Sequence, residues 1–516
     1  MQQTAKGRYE KLNSERTSYL NRGRECAKLT IPSLLPMSED NTSGTKFPTP
    51  YQSMGARGVN NLASKLLLAL FPPNHPFFRL SVNEFELREL TGRDDMRAEI
   101  EKALGEIERA VMTETEAQAI RVPLFEAFKH LIVVGNVLLY VTKDKGVKVF
   151  RLDHYVVKRD FFGQVMEIIV REKIGKAALP EEILKAGDPE VDQKKPTDDV
   201  ELYTWIKRDG DKFKVHQEVN KTRVPKSEGS YKLEECPWIP LRFIRIDGED
   251  YGRSYVEEYY GDLRSLEGLS QAIVEGSAAA AKVLFLVNPN STTEERVIAQ
   301  APNLAVRSGS AEDVTVLQLE KYADFRVALE TINLLNARLA QAFLMTSAIQ
   351  RDAERVTAEE VRLMAAELED ALGGVYSLMS QELQLPLVNT IMANMVRAKK
   401  LPRLPRDTVR PVVVAGLEAL GRGHDLNRLM TFGQMVQSTL GPEVFQVHVN
   451  PSDFLKRLGT ALGLDMNGLI RTEEEIMAMQ QEAIMREQMQ TLGPAAIQAQ
   501  GRLAQEKAKQ GEQQEG

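Results

Sequence analysis

Gly252-Arg253-Ser254-Tyr255-Val256-Glu257 decides how the rest of the chain is read. Ser254 is placed to accept from the backbone N–H of Glu257 while the Glu257 side chain reaches back to the amide of Ser254, the reciprocal capping box that starts a helix. Beyond it Val256, Tyr260, Leu263, Leu266, Leu269 and Ile273 recur every three or four residues. They form one continuous apolar stripe down a helix expected over 254–283, roughly 40 Å long at about 1.5 Å per residue. Its last turns, Gly276-Ser277-Ala278-Ala279-Ala280-Ala281, carry almost no side-chain bulk. A second stripe, Phe325, Leu329, Ile332, Leu335, Leu339 and Phe343, predicts a return helix of similar length. Between the two lie Asn288-Pro289-Asn290, Pro302 and Ser308-Gly309-Ser310, each a turn signal. The pattern therefore predicts antiparallel partner helices with a small non-helical unit at one tip. Taken alone, it fits a helical hairpin inside any ordinary α+β protein.

Outward from the hairpin, the chain changes character on each side. Toward the N-terminus, Val137 to Ile246 reads as β-rich, with Val200, Leu202, Thr204 and Ile206 alternating against Glu201, Tyr203, Trp205 and Lys207. Its segment 186–199, with Gly187, Pro189 and Pro196 among charges, reads as a loop. Before it, helices are expected over 53–70, where Val59, Leu62, Leu66 and Leu70 keep helical spacing until Pro72-Pro73 stops them, over 94–118, and over 124–134. Toward the C-terminus, Thr346 to Arg355 is polar and aperiodic and reads as an exposed loop. Thr357-Ala358-Glu359-Glu360 is a further capping box, opening a long helix that Gly373-Gly374 should bend. Short helices follow beyond Pro411, one launched by Asn450-Pro451, and the Gln-rich end from Ala496 lacks an apolar face.

With 516 residues, 43% hydrophobic and 27% charged, the chain has material for roughly three or four folded units. A net charge of −7 argues against a protein gripping nucleic acid along a broad basic face, which needs clustered Lys and Arg on phosphates. Cys26 and Cys236 lie far apart and read as two buried thiols rather than a disulfide framework. The most apolar run, Leu66 to Phe71, is far shorter than the roughly 20 residues of a membrane helix, so no membrane association is expected.

Signals for chemistry are weak. The six histidines are scattered outside any zinc-binding spacing, and the chain lacks a G-x-x-x-x-G-K-[ST] phosphate loop. Gly252-Arg253-Ser254-Tyr255-Val256 approaches a nucleophile elbow, but its closing glycine is Val256 and a helix cap explains Ser254 better. Gly421-Arg422-Gly423 is half a dinucleotide fingerprint without its third glycine. No catalytic, cofactor-binding or metal-binding residue is assigned, and no enzyme activity is expected.

Longer stretches carry a resemblance. Thr49-Pro50-Tyr51-Gln52-Ser53 with Gly55-Ala56-Arg57-Gly58-Val59-Asn60-Asn61-Leu62-Ala63-Ser64-Lys65-Leu66, then Gly135-Asn136-Val137-Leu138-Leu139-Tyr140, Asp247-Gly248-Glu249-Asp250-Tyr251-Gly252-Arg253-Ser254-Tyr255, Arg355-Val356-Thr357-Ala358-Glu359-Glu360 and Leu372-Gly373-Gly374-Val375-Tyr376-Ser377 closely resemble, in order, the head-to-tail connector (portal) proteins of podovirus phages. The resemblance implies an α+β, mainly α, portal fold. It would run as wing (1–253), stem helix (254–283), clip (284–324), returning stem helix (325–344), tunnel loop (345–356), wing helix and return segment (357–423), helical crown (424–495) and flexible tail (496–516). It also implies a homo-oligomer, a dodecameric ring at one capsid vertex of the virion, assembled in the host cytoplasm. Such a ring nucleates head assembly and conducts double-stranded DNA. Its implied partners are the terminase large subunit, a tail adaptor, and the major capsid and scaffolding proteins. Arg351 and Arg355 on the tunnel loop are the residues expected to touch DNA phosphates, though Asp352 and Glu354 cancel the local charge. Lys282 and Arg338 are weaker candidates on the channel-lining stem. The alternative from another class is a structural capsid or scaffolding component without a DNA channel.

Overall fold

The computed structural model describes residues 4–37, 46–73, 76–82, 94–179, 198–219, 222–280, 284–290, 310–317, 322–345, 370–402 and 409–413, with isolated positions between them and parts of 430–458. The chain divides into two units, Met1–Ala419 and Leu420–Gly516. In the second, described residues at 430–436 and 438–439 are helical; Asn450-Pro451 and Gly421-Arg422-Gly423 lie outside the described residues.

The first unit opens with α1 (Ala5–Leu29), capped by Thr4 Oγ1 accepting from Gly7 N–H, and α2 (Met54–Leu70), whose Val59, Leu62, Leu66 and Leu70 are all fully buried. Strand β1 (Phe78–Val82) and helices α3 (Asp94–Ala117) and α4 (Arg121–Val134) follow. These helices sit within a few residues of the spans expected from spacing.

The β-rich segment forms two sheets. One takes the order β10-β2-β3, from β2 (Asn136–Val141), β3 (Val147–Phe150) and β10 (Trp238–Arg242). The other runs β4-β5-β6-β7-β8, with β9 also on β7, through β4 (Tyr155–Arg159), β5 (Val165–Gly175), β6 (Asp199–Asp209), β7 (Lys212–Val219), β8 (Thr222–Arg223) and β9 (Gly229–Lys232). All pairings in both sheets are antiparallel. The alternation in β6 forms a strand as expected, and both its faces are covered: Tyr203 and Trp205 are buried as well as Val200 and Ile206. The N-terminal half of α1 lies over them, its Tyr9 ring edge-on to Tyr203 at 5.6 Å and Leu12 in the same cluster. Nothing in the strand's own pattern announces a cover from residues nearly 200 positions earlier.

The hairpin emerges from this body. The single helix expected over 254–283 is instead α5 (Tyr255–Glu258) and α6 (Tyr260–Ala280), separated at Tyr259 (φ −105°, ψ 11°). Tyr259 N–H turns to the carbonyls of Val256 and Glu257, and its ring packs on Tyr255 and Phe343, so aromatic packing at the base outweighs helix continuity there. At about 1.5 Å per residue α6 spans about 32 Å, and 281–283, the end of the expected helix, lie outside the described residues. Strands β11 (Leu284–Val287) and β12 (Val314–Leu317) make an antiparallel ribbon, Leu284 opposite Leu317, and Pro289-Asn290 forms the turn the sequence predicts. The return helix α7 (Tyr322–Ala342) begins three residues before the start of its stripe. The stripes are continuous in sequence but not in burial. Leu263, Leu266, Leu335, Leu339 and Phe343 are buried at the base, whereas Leu329, further out, is 51% exposed; off the stripes, Val274, Val327 and Leu334 are 54%, 64% and 61% exposed.

Beyond the hairpin, Gly373 takes a left-handed φ of +51° and ends a helical segment, which is the bend its sequence predicts. Helix α8 (Gly374–Met379) passes through a five-residue π-helical stretch (Ser380–Gln384) into α9 (Leu385–Arg397). Strand β13 (Val409–Val413) then returns to pair with β1, Phe78 opposite Val413. The loops expected over 186–199 and 346–355, and the capping box at Thr357, fall almost entirely or wholly outside the described residues.

Candidate functional site

The site assembled by these elements is the root of the hairpin, where three of the motif stretches meet. Helix α4 ends at Gly135 with φ +79°, the left-handed cap that glycine tolerates best. A Cβ on Gly135 would lie 2.5 Å from the Arg253 carbonyl carbon, so the backbone entering α5 crosses directly over it. The next residue, Asn136, clamps the same crossing: its Oδ1 accepts from Gly252 N–H at 2.7 Å and its Nδ2 donates to the Gly252 carbonyl at 2.8 Å. Both bonds are buried, where an amide that meets a backbone donor and acceptor together avoids the cost of leaving either unpaired.

The returning helix is held from the other side by α2. Gly58 packs against the Phe343 ring, where a Cβ would come within 2.5 Å. Asn61 Nδ2 donates to the carbonyls of Phe343 and Leu344 at 2.9 and 3.0 Å, satisfying acceptors left open at a helix C-terminus. Tyr255 ties the two helices together, its hydroxyl donating to the Ala342 carbonyl at 2.8 Å.

Charge surrounds this base. Arg253 donates to both Glu249 oxygens and to Glu257, and the bonds to Glu249 come first among the causes that raise its pKa. This alters the capping box: Ser254 Oγ does accept from Glu257 N–H at 3.0 Å, but the Glu257 carboxylate pairs with Arg253 instead of the Ser254 amide. The Ser254 hydroxyl donates to Cys26 Sγ at 3.8 Å, so its contacts are those of a cap. Both cysteines are buried free thiols, as their spacing predicts, and burial pushes Cys26 up to about 11 and Cys236 up to about 12, which keeps them protonated at neutral pH.

A second charged cluster lies behind the crossing. Arg242, 2% exposed and in register with Asn136, pairs with Glu382 on the π-helical stretch. Arg159 donates to the carbonyls of Pro240, Asp250 and Gly163; burial first, then the positive charge of Arg242, lowers its pKa to about 10.

Of the residues singled out from sequence, Arg351, Arg355 and Lys282 lie outside the described residues. Arg338 is placed: it pairs with Asp262 of α6 at 3.1 Å across the hairpin of its own chain. Sequence reasoning missed Asn136, Asn61, Arg242 and Glu382. The first two sit inside stretches quoted for their resemblance, without a role. Arg242 had a local signal, a lone charge between Leu241 and Phe243 in a strand, where an unpaired charge would be prohibitive. Among the described residues, no helix is long and apolar enough to cross a membrane.

The hairpin is thus rooted by clamps at both of its helices. The chain belongs to the bacteriophage head to tail connecting protein family, whose pattern matches residues 2–470. It is 44% identical to the portal protein of Escherichia phage T7 over 508 residues, 97% of this chain and 94% of that one. The portal protein of Enterobacteria phage SP6 is 34% identical over 95% of each chain. Among solved structures, a chain in the virion of a native gene transfer agent particle aligns with 80% of this chain and 90% of its own, at 12% identity and a TM-score of 0.33.

Proposed function

We propose that the chain is the subunit of a closed ring at one capsid vertex, through which double-stranded DNA enters during terminase-driven packaging and leaves on ejection. The observation that carries this is the contrast along the hairpin: a base locked by buried clamps, and an outer half on which Val274, Val327 and Leu329 stay more than half exposed. Exposed apolar side chains in a row mark an interaction surface. A heterologous contact whose rotation closes turns that surface into a ring wall. On this reading 1–253 is the wing, 254–283 and 325–344 the stem, 284–324 the clip that meets the terminase large subunit and the tail adaptor, and 424–495 the crown. The wing side faces the major capsid and scaffolding proteins and nucleates the head. An acidic chain suits a conduit, since a strongly basic lumen would hold DNA through its phosphates. Imaging of the purified full chain is expected to show rings with an axial hole; a monomer, or an assembly without a hole, would favour a structural capsid component.

Direct contact with DNA is assigned to 345–356, through Arg351 and Arg355. Alanine at both positions is expected to leave ring formation intact and to lower DNA packaging or retention in assembled heads. Unchanged packaging would remove the assignment. Arg338, engaged by Asp262, serves the stem's own pairing, while Lys282 remains a candidate for the lumen.

A further inference from the structure

The hairpin itself specifies which of its surfaces meet. Gly276 of α6 and Phe325 of α7 touch across the hairpin, since a Cβ on Gly276 would lie 2.7 Å from the Phe325 ring. The same antiparallel register holds nearer the base, where Arg338 meets Asp262. Val274 is two residues before Gly276 and Val327 two residues after Phe325. At about 100° per residue, each valine sits about 200° round its helix from the contact and points away from the partner helix. Their exposures of 54% and 64% agree. The two valines therefore stand at one height on opposite outer edges of the hairpin.

The pattern repeats toward the base. Leu334, seven residues after Val327, lies on the same edge of α7 and is 61% exposed. Its height matches that of Glu267, nine residues before Gly276 and so on the outer edge of α6. There Tyr51 is laid along the edge: its backbone N–H donates to Glu267 at 3.0 Å and its hydroxyl to Glu275 at 3.2 Å, leaving the residue 49% exposed. The α7 edge carries Arg326 and Glu330 about Val327, and the α6 edge Arg264, Glu267 and Glu275 about Val274 and Tyr51.

Resting on the ring reading above, we propose that the occupant of each edge is a second copy of this chain: the α7 edge of one copy seats Val327 on Val274 and Leu334 on Tyr51 of the next. Rotation about a ring axis preserves height, so for a hairpin running along the axis only residues level on opposite edges can meet. Apolar residues occupy both edges at matching heights, so the α7 edge of each copy meets the α6 edge of the next.

The test is a Val274→Cys/Val327→Cys double variant of the full chain, treated with a short bis-maleimide and run on a denaturing gel, with native mass spectrometry of the untreated wild type and variant alongside. Cys26 and Cys236, buried and protonated, do not compete. The double variant is expected to give a ladder of covalent multimers, while either single variant stays at one chain length, because like positions never meet in a heterologous contact. If the variant forms rings without a ladder, or a single variant cross-links to itself, the edge pairing is overturned and the ring reading stands. If the wild type is monomeric, both fall.

Discussion

Gly135→Ala is expected to disable folding of the hairpin root. A β-carbon in the left-handed region costs about 1–2 kcal/mol, and forcing it into a packed site adds about 1–3 kcal/mol. Here the obstacle is the Arg253–Ser254 backbone, at 2.5–2.7 Å, which cannot swing aside as a side chain would. The total, about 2–5 kcal/mol, is a large share of the stability of an ordinary domain. Gly210→Ala provides the control, since Gly210 also has positive φ (+58°) but nothing within 4 Å of its built Cβ. In urea unfolding Gly210→Ala should lose only the backbone part. Equal losses for the two variants would show that the crossing over Gly135 carries no weight.

The second large effect is expected at Glu382. Glu382→Leu strands the guanidinium of Arg242, almost completely buried and already close to the positive charge of Arg159. Breaking one side of a buried pair costs about 3–5 kcal/mol, whereas replacing both sides with apolar groups is often neutral. Arg242→Met/Glu382→Leu should therefore recover most of what Glu382→Leu loses, the coupling being read from a double-mutant cycle on denaturation midpoints. Additive losses would mean the two charges act independently.

Periodicity made α2, α6 and α7 legible because each carries a stripe spaced by its own helical repeat, and that spacing is written in neighbouring residues; α4 was legible from its apolar composition, buried nearly all round. The same rule failed where burial is decided from afar. The burial of Tyr203 and Trp205 is decided by α1, laid over them from far away in sequence, and Leu329, on its stripe, stays exposed because the hairpin leaves the body. The break at Tyr259 was hidden for a related reason: its cause is Phe343, on the helix that comes back. Motif resemblance brought Gly135, Asn136 and Gly252 into view without their purpose, because a clamp between residues 116 apart has no local periodicity.

The pairing of β1 with β13 sets a limit on timing. Phe78–Val82 must wait for Val409–Val413, more than 300 residues later, before the strand pair can close. At bacterial translation speeds of about 5–20 residues per second, that delay is roughly 20–70 s. Asn61 waits for the end of α7, which it caps, until residue 344, and Arg242 waits for Glu382 until residue 382, both before β13 is made. A nascent chain therefore completes its hairpin root before its first strand finds a partner, and one released between those two moments would present the unpaired edge of β1 to its neighbours.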